Sequence, residues 1–140
     1  FFEPGDQTVV AKTPFGNIGM MVCYDLRFPE LALTLRAQGA RILTAPAAFT
    51  YTTGQMHWQL LLQARAMDTQ CDVLGAAQQG WHGEKRQTWG HTGATNSRGQ
   101  LLQMIQDEGA GLITIEFDAK EQDQIRASMP LMQHRRLISF

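Results

Sequence analysis

Short apolar runs separated by polar, glycine-containing links recur along the chain. Continuous apolar runs predict buried strands at residues 18–23, 41–45 and 73–77, because a strand covered on both faces is apolar throughout. Between these runs, apolar residues follow helical spacing at 29–39 and at about 55–68. This alternation of strands and helices predicts an α/β fold with a predominantly parallel sheet.

The flanking segments complete one unit. Alternation predicts a strand at 8–13, and a glycine-rich polar stretch at 78–99 predicts loops and short strands. Two late strands are predicted at 101–105 and 111–117, then a helix at 119–129 and an extended tail. No linker or repeat divides the sequence, so we expect one domain or part of one. The first residues, Phe-Phe-Glu-Pro-Gly without a methionine, lead us to expect a piece of a longer protein.

Composition narrows the class of partner. Twelve Lys and Arg stand against 13 Asp and Glu in 140 residues, so charge gives no reason to expect nucleic acid or an anionic membrane as a partner. No apolar run approaches the roughly 20 residues that cross a bilayer. Two cysteines are too few for a disulfide framework, and no metal-ligand spacing is present. These features favour a cytoplasmic protein.

Cys23 ends an apolar run and is followed at once by Tyr24-Asp25-Leu26-Arg27. A sharp turn there would place the thiol at the carboxyl edge of the sheet, where α/β proteins bind ligands. It would also aim the Tyr24 N–H at a developing oxyanion. The alternative is that the cysteine is a small hydrophobic residue, which is the interpretation we keep for Cys71.

A nucleophilic thiol needs a base, since the thiolate is the reactive form. His57, His91 and His134 are candidates for a Cys-His dyad. Each also has an ordinary interpretation, at a helix start, in a loop and in the tail. The sequence pattern leaves this alternative open.

The segment GMMVCYDLRFPELAL resembles the nucleophile segment of the carbon-nitrogen hydrolase (nitrilase) superfamily. The similarity continues through PAAFTYTTGQMHWQLLLQARAMDTQC, AAQQGWHGEKRQTWGHTGATNSRGQLL and IRASMPLMQHRR. The Gln-Gly…Glu-Lys-Arg stretch and the terminal His-Arg-Arg are similar to the deaminated glutathione amidase branch. The ω-amidase branch usually lacks that stretch.

The resemblance implies the C-terminal half of a four-layer α-β-β-α sandwich, whose N-terminal part is missing from residues 1–140. It implies a homodimer that hydrolyses a linear amide through a cysteine thioester, without metal or organic cofactor. The catalytic glutamate and lysine of the family lie upstream of the cysteine, so residues 1–140 alone are expected to be inactive. The expected reaction converts deaminated glutathione to α-ketoglutarate and cysteinylglycine. Alternatives are an ω-amidase acting on α-ketoglutaramate and a truncated, non-catalytic oligomerising protein.

The resemblance also suggests roles for individual residues. Cys23 would be the nucleophile and the Tyr24 N–H would help to hold the oxyanion. Arg27 would bind a substrate carboxylate through its planar fork, and Phe49 and Thr53 would lie over the same crevice.

Other interpretations of the charged residues remain. Arg27 could instead form a salt bridge with Asp25 or Glu30, and Asp25 is predicted to be structural. The charged residues 84–86 are either a solvated loop or a contact for the distal part of a larger substrate, such as a cysteinylglycine tail.

Overall fold

A six-stranded mixed sheet forms the centre of the molecule in the computed structural model, which describes residues 3–106 and 109–137. The strands of the described chain are β1 Val10–Ala11, β2 Ile18–Met20, β3 Ile42–Thr44, β4 Asp72–Gly75, β5 Gln79–His82, β6 Arg86–Trp89, β7 Gly93–Thr95 and β8 Leu101–Met104. The helices are α1 Pro29–Ala37, α2 Tyr51–Thr69, α3 Ala119–Ser128 and α4 Leu131–His134, with a 3₁₀ helix at Cys23–Arg27.

The sheet order is β1-β2-β3-β4-β7-β8, and β5 pairs with β6 in a separate hairpin. Strands β2, β3 and β4 are parallel to one another, whereas β1 is antiparallel to β2, β7 to β4 and β8 to β7. The sheet is therefore mixed rather than predominantly parallel, because β1, β7 and β8 are not joined to their neighbours by the helical crossovers that parallel pairing requires. The three parallel strands bring their carboxyl ends to one edge, which is where the candidate site lies.

Helices α1 and α2 cover one face of the sheet. Gly75 of β4 leaves room for Trp58, since a Cβ at that position would lie 2.6 Å from Cζ2 of the indole. The largest fully buried apolar side chains form this core: Met21, Leu26, Leu35, Leu43, Trp58, Leu62 and Val73. Cys71 is fully buried in the same cluster and its Sγ lies 3.2 Å from the Ala40 carbonyl oxygen, which agrees with its interpretation as a small core residue.

The opposite face is only partly covered. A Cβ on Gly19 of β2 would point at Leu35 of α1, so the next side chain, Met20, points away from the helices. Met20 is 53% exposed and Val22 is 60% exposed. The prediction that the run 18–23 is covered on both faces is therefore wrong for the described chain, because α1 and α2 lie on a single side.

Several predicted boundaries are corrected by the structure. The first strand keeps only two of residues 8–13, β3 ends at Thr44, β4 begins one residue early and ends at Gly75, and α2 begins at Tyr51 rather than near Gln55. The predicted strand at 101–105 is present as β8, but residues 111–117 form no strand, since they have no hydrogen-bonded partner among the described residues. The tail contains the short helix α4 and is not simply extended. Within the described chain, no helix has both the length and the apolar character needed to cross a membrane.

Candidate active site

Cys23 lies at a sharp reversal of the chain just beyond β2. The extended backbone continues past the strand, because the Met21 N–H donates to the Thr44 carbonyl over 2.9 Å. The Cys23 N–H donates in the same way to the Pro46 carbonyl over 2.8 Å. Cys23 then adopts φ +49°, a left-handed conformation that few non-glycine residues occupy. The cysteine is thus the first residue of the 3₁₀ helix, and not the last residue of a strand as predicted.

Asp25 stabilises this reversal. Its carboxylate accepts a hydrogen bond from the Val22 N–H over 2.9 Å, while its own N–H donates to the Val22 carbonyl over 3.0 Å. The side chain is therefore engaged with the backbone, in agreement with its structural interpretation. The Tyr24 N–H lies in the first turn of the 3₁₀ helix, where N–H groups lack an acceptor within the helix.

A cavity of about 570 Å³ opens beside the thiol. All five residues singled out from the sequence line it: Cys23, Tyr24, Arg27, Phe49 and Thr53. His57 of α2 lines the same cavity. The turn after β2, the loop after β3 and the first turns of α2 meet here, since β2 and β3 are parallel neighbours.

Arg27 is held by aromatic residues and a histidine. Its Nη2 lies 3.3 Å from Nδ1 of His57, and because a guanidinium only donates, Nδ1 must accept. The guanidinium carbon lies 5.6 Å from the Phe49 ring centroid and 5.7 Å from that of Tyr24, within the range of cation–π contacts. Among the described residues Arg27 forms no salt bridge, so the proposed pairing with Asp25 or Glu30 is wrong.

A second cavity of about 540 Å³ is also lined by Cys23. Small side chains line much of it, at Ala47, Ala76 and Ala77. Cys23 thus borders both an aromatic and cationic lobe and a lobe of small residues. No glutamate or lysine is among the described residues that line either lobe.

The three candidate histidines differ in their position relative to the cavity beside Cys23. His91 donates from Nδ1 to the Trp89 carbonyl over 2.8 Å and stacks on that indole at 3.9 Å between ring centroids. His134 lines a different depression, together with Arg65. Only His57 among the three lines the cavity beside Cys23, and its Nδ1 is already bonded to Arg27.

The β5–β6 hairpin, which carries the charged residues 84–86, is fixed to the loop that lines the site. The Trp89 N–H donates to the Phe49 carbonyl over 3.0 Å, and Thr50 forms an antiparallel bridge with Thr88. Arg86 donates from Nη2 to the Ala48 carbonyl over 3.4 Å. The tip is exposed, as a solvated loop would be, but the sequence did not indicate that the hairpin borders the crevice.

Comparison with known proteins identifies the family. The family profile for carbon-nitrogen hydrolases matches residues 1–127. The chain belongs to the carbon-nitrogen hydrolase family. A Yersinia enterocolitica protein named deaminated glutathione amidase is 48% identical over 138 residues, which are 99% of this chain and 48% of that protein. The chain spans about half the length of some curated relatives and less of others, from 27% to 48%.

Solved structures show the same fold. A branch 10 member of the nitrilase superfamily from Saccharomyces cerevisiae superposes with a TM-score of 0.88 at 32% identity, over 96% of this chain and 49% of that chain. An amidase from Nesterenkonia superposes with a TM-score of 0.66 at 28% identity, over 74% of this chain and 39% of that chain. That structure carries the acetamide moiety of fluoroacetamide covalently on its active-site cysteine. The mixed α/β architecture thus matches nitrilase structures over part of their length.

In this carbon-nitrogen hydrolase chain, the arrangement suits attack by a thiolate on a carbonyl carbon. The left-handed turn leaves Cys23 only partly buried at the margin of the core, and the following N–H faces no competing acceptor within its helix. His57 and Arg86 were the residues whose positions the sequence missed. The sequence indicated neither the contact of His57 with Arg27 nor that of Arg86 with the Ala48 carbonyl, because both join residues far apart in the chain.

Proposed function

We propose that the full-length protein containing this chain is an amidase that cleaves deaminated glutathione through a thioester on Cys23. The observation that carries this proposal is the position of Cys23, which has φ +49° and borders two cavities. A core cysteine gains nothing from a strained backbone conformation, whereas strain of this kind is common where a side chain must be presented to a substrate.

The proposed reaction has two steps. The Cys23 thiolate attacks the amide carbon, the C–N bond breaks, and cysteinylglycine leaves after its nitrogen accepts a proton. Water then attacks the thioester carbon, which releases α-ketoglutarate and returns the thiol. The Tyr24 N–H stabilises the negative oxygen formed in each step. The glutamate and lysine that assist in the family would come from residues outside this chain.

Arg27 is proposed to hold the carboxylate of the keto acid. Its guanidinium lies against the Phe49 and Tyr24 rings and has no carboxylate partner in the described chain. A cation held in this way is free to form two parallel hydrogen bonds with an incoming carboxylate. Thr53 supplies a hydroxyl in the same lobe, where it would bond a polar atom of the keto acid.

The comparisons support this proposal at two levels. The relatives named deaminated glutathione amidase, from Yersinia enterocolitica to Dictyostelium discoideum, support the substrate. The acetamide moiety joined covalently to the active-site cysteine of the Nesterenkonia amidase supports a nucleophilic cysteine. A homodimer and a cytoplasmic location remain predictions.

The test uses the full-length protein and its two thiols. Cys23→Ser should abolish hydrolysis of deaminated glutathione and the acyl adduct seen by mass spectrometry after rapid quenching. Cys71→Ser should retain most of both, since Cys71 is a buried core residue. Equal losses in two well-folded variants, or an adduct on another residue, would overturn the assignment.

An ω-amidase acting on α-ketoglutaramate is the second candidate. This candidate is supported by the role proposed for Arg27, which would contact only the keto acid that both amides share. Comparing kcat/KM for the two amides in the unmutated protein decides between them.

A further inference from the structure

The β5–β6 hairpin borders the site as a rigid element. Besides the bond from Trp89 to Phe49, the Gly90 N–H donates to the Gln78 carbonyl over 3.1 Å. Within the hairpin, Nε2 of His82 lies 2.8 Å from Oγ1 of Thr88, which is almost fully buried. These bonds fix the base of the hairpin, so the position of its tip relative to the crevice is defined.

Arg86 is the residue of this hairpin that contacts the loop lining the crevice. It donates to the carbonyl of Ala48, which lines both lobes beside Cys23, so the guanidinium lies next to the crevice although Arg86 itself lines neither lobe. The side chain is exposed, and no carboxylate of the described chain forms an ion pair with it. One neutral carbonyl at 3.4 Å leaves most of its five N–H donors free.

We propose that Arg86 binds the terminal carboxylate of the peptide portion of the amide substrate; this rests on the proposed function. In deaminated glutathione the keto acid and the cysteinylglycine portion extend in opposite directions from the amide carbon. With the keto acid held by Arg27, the leaving portion points away from that lobe. Two extended residues span at most about 7 Å, so the glycine carboxylate remains at the rim of the crevice.

Arg86 therefore determines specificity by the length of the substrate. An amide without a peptide portion, such as α-ketoglutaramate, has no carboxylate to offer this guanidinium. Exposed ion pairs contribute little, so we expect Arg86 to favour the longer amide by about fivefold, consistent with the upper range for such pairs.

The experiment compares two amides in the full-length protein. Arg86→Ala should lower the ratio of kcat/KM for deaminated glutathione to that for α-ketoglutaramate by about fivefold, through KM for the longer amide. Arg98→Ala is the matched control, because it removes the same charge from an exposed pair with Glu121 remote from the crevice. In that variant the ratio should not change.

A modified substrate isolates the contact. Deaminated glutathione with its glycine carboxylate converted to a carboxamide should lose the same factor with the unmutated protein and nothing further with Arg86→Ala. An unchanged ratio in Arg86→Ala, in a protein that hydrolyses both amides, would overturn this inference alone. Failure of the unmutated protein to hydrolyse either amide would overturn the proposed function and this inference together.

Discussion

Nη2 of Arg27 donates a hydrogen bond to Nδ1 of His57 over 3.3 Å, so the 3₁₀ helix that begins at Cys23 is tied to α2 through a histidine that accepts. The pairing fixes the neutral tautomer with its proton on Nε2, because a guanidinium has no lone pair to offer. A neutral acceptor orients the cation without neutralising it. The charge of Arg27 therefore remains available to a substrate.

His57→Ala should raise KM for a keto-acid amide several-fold, because Arg27 would lose the acceptor that orients it. His57→Asn should retain most of the activity, since the amide oxygen takes the place of Nδ1 as an acceptor. Steady-state kinetics on the full-length protein check both variants. If Ala and Asn behave alike at equal stability, the hydrogen bond does not position Arg27.

Arg27→Lys should lower kcat/KM for a keto-acid amide by about tenfold or more, although the charge is kept. Lysine cannot form the planar two-bond fork, and it does not stack on Phe49 as a guanidinium does. Arg36→Lys is a suitable control, since Arg36 donates to the Thr69 carbonyl in a part of the fold remote from the site. Unchanged kinetics in Arg27→Lys would return this residue to a purely structural role.

Gly54→Ala should destabilise the full-length protein, although alanine favours a helix by about 1 kcal/mol over glycine. A Cβ at Gly54 would overlap the Cβ and the ring of Trp89, where α2 packs against the hairpin. Overpacking costs about 1–3 kcal/mol, so after the helix gain we expect a net loss of up to about 2 kcal/mol in denaturant unfolding. Gln55→Ala, at the next and exposed position of α2, should change stability little.

Asp72→Asn should stabilise the folded protein at neutral pH. Burial raises the pKa of the Asp72 carboxyl, and hydrogen bonds from the Ser97 N–H and the Gln122 amide offset only part of that rise. An acid whose folded pKa lies above its unfolded value stabilises the fold below the unfolded pKa of about 3.9 and loses that contribution as pH rises through the folded pKa.

Asparagine keeps an oxygen acceptor and does not ionise, so its advantage should be present at pH 7, shrink as pH falls through the raised folded pKa of Asp72, and be absent below about pH 4. Denaturant unfolding of the full-length protein at both pH values measures this. Asp6→Asn, at an exposed position, controls for the change in net charge. A variant that is less stable at pH 7 would contradict the prediction.

The sequence predicted the order of the main elements because helical and strand periodicity record which faces are buried. It could not predict their ends. The run 18–23 is apolar throughout, but only its first residues pair with β3. Beyond them, Met21 donates to the carbonyl at the end of β3 and Cys23 donates to a carbonyl that follows β3. Residues 111–117 alternate like a strand in the sequence. They do not form one, because a strand needs a hydrogen-bonded partner that the described chain does not supply.

Only the part of the candidate site formed by residues close together in the sequence could be predicted. Cys23 and Arg27 lie on one short turn, so their proximity follows from the sequence. The contact between Arg27 and His57 joins residues 30 positions apart and depends on how α2 packs. The approach of Arg86 to Ala48 depends on a hairpin that folds back across the loop after β3. Neither relationship leaves a periodic signal.

The left-handed backbone at Cys23 sets the requirement for stability against the requirement for activity at one position. A side chain with a Cβ is disfavoured there by about 1–2 kcal/mol, whereas glycine accepts φ +49° without that penalty. A library of all residues at position 23, sorted only for folding and abundance, would therefore enrich glycine. The same library sorted for turnover would return cysteine. Replacing Cys23 by glycine would stabilise the fold and at the same time remove the nucleophile. Only selection for activity therefore keeps the thiol in place.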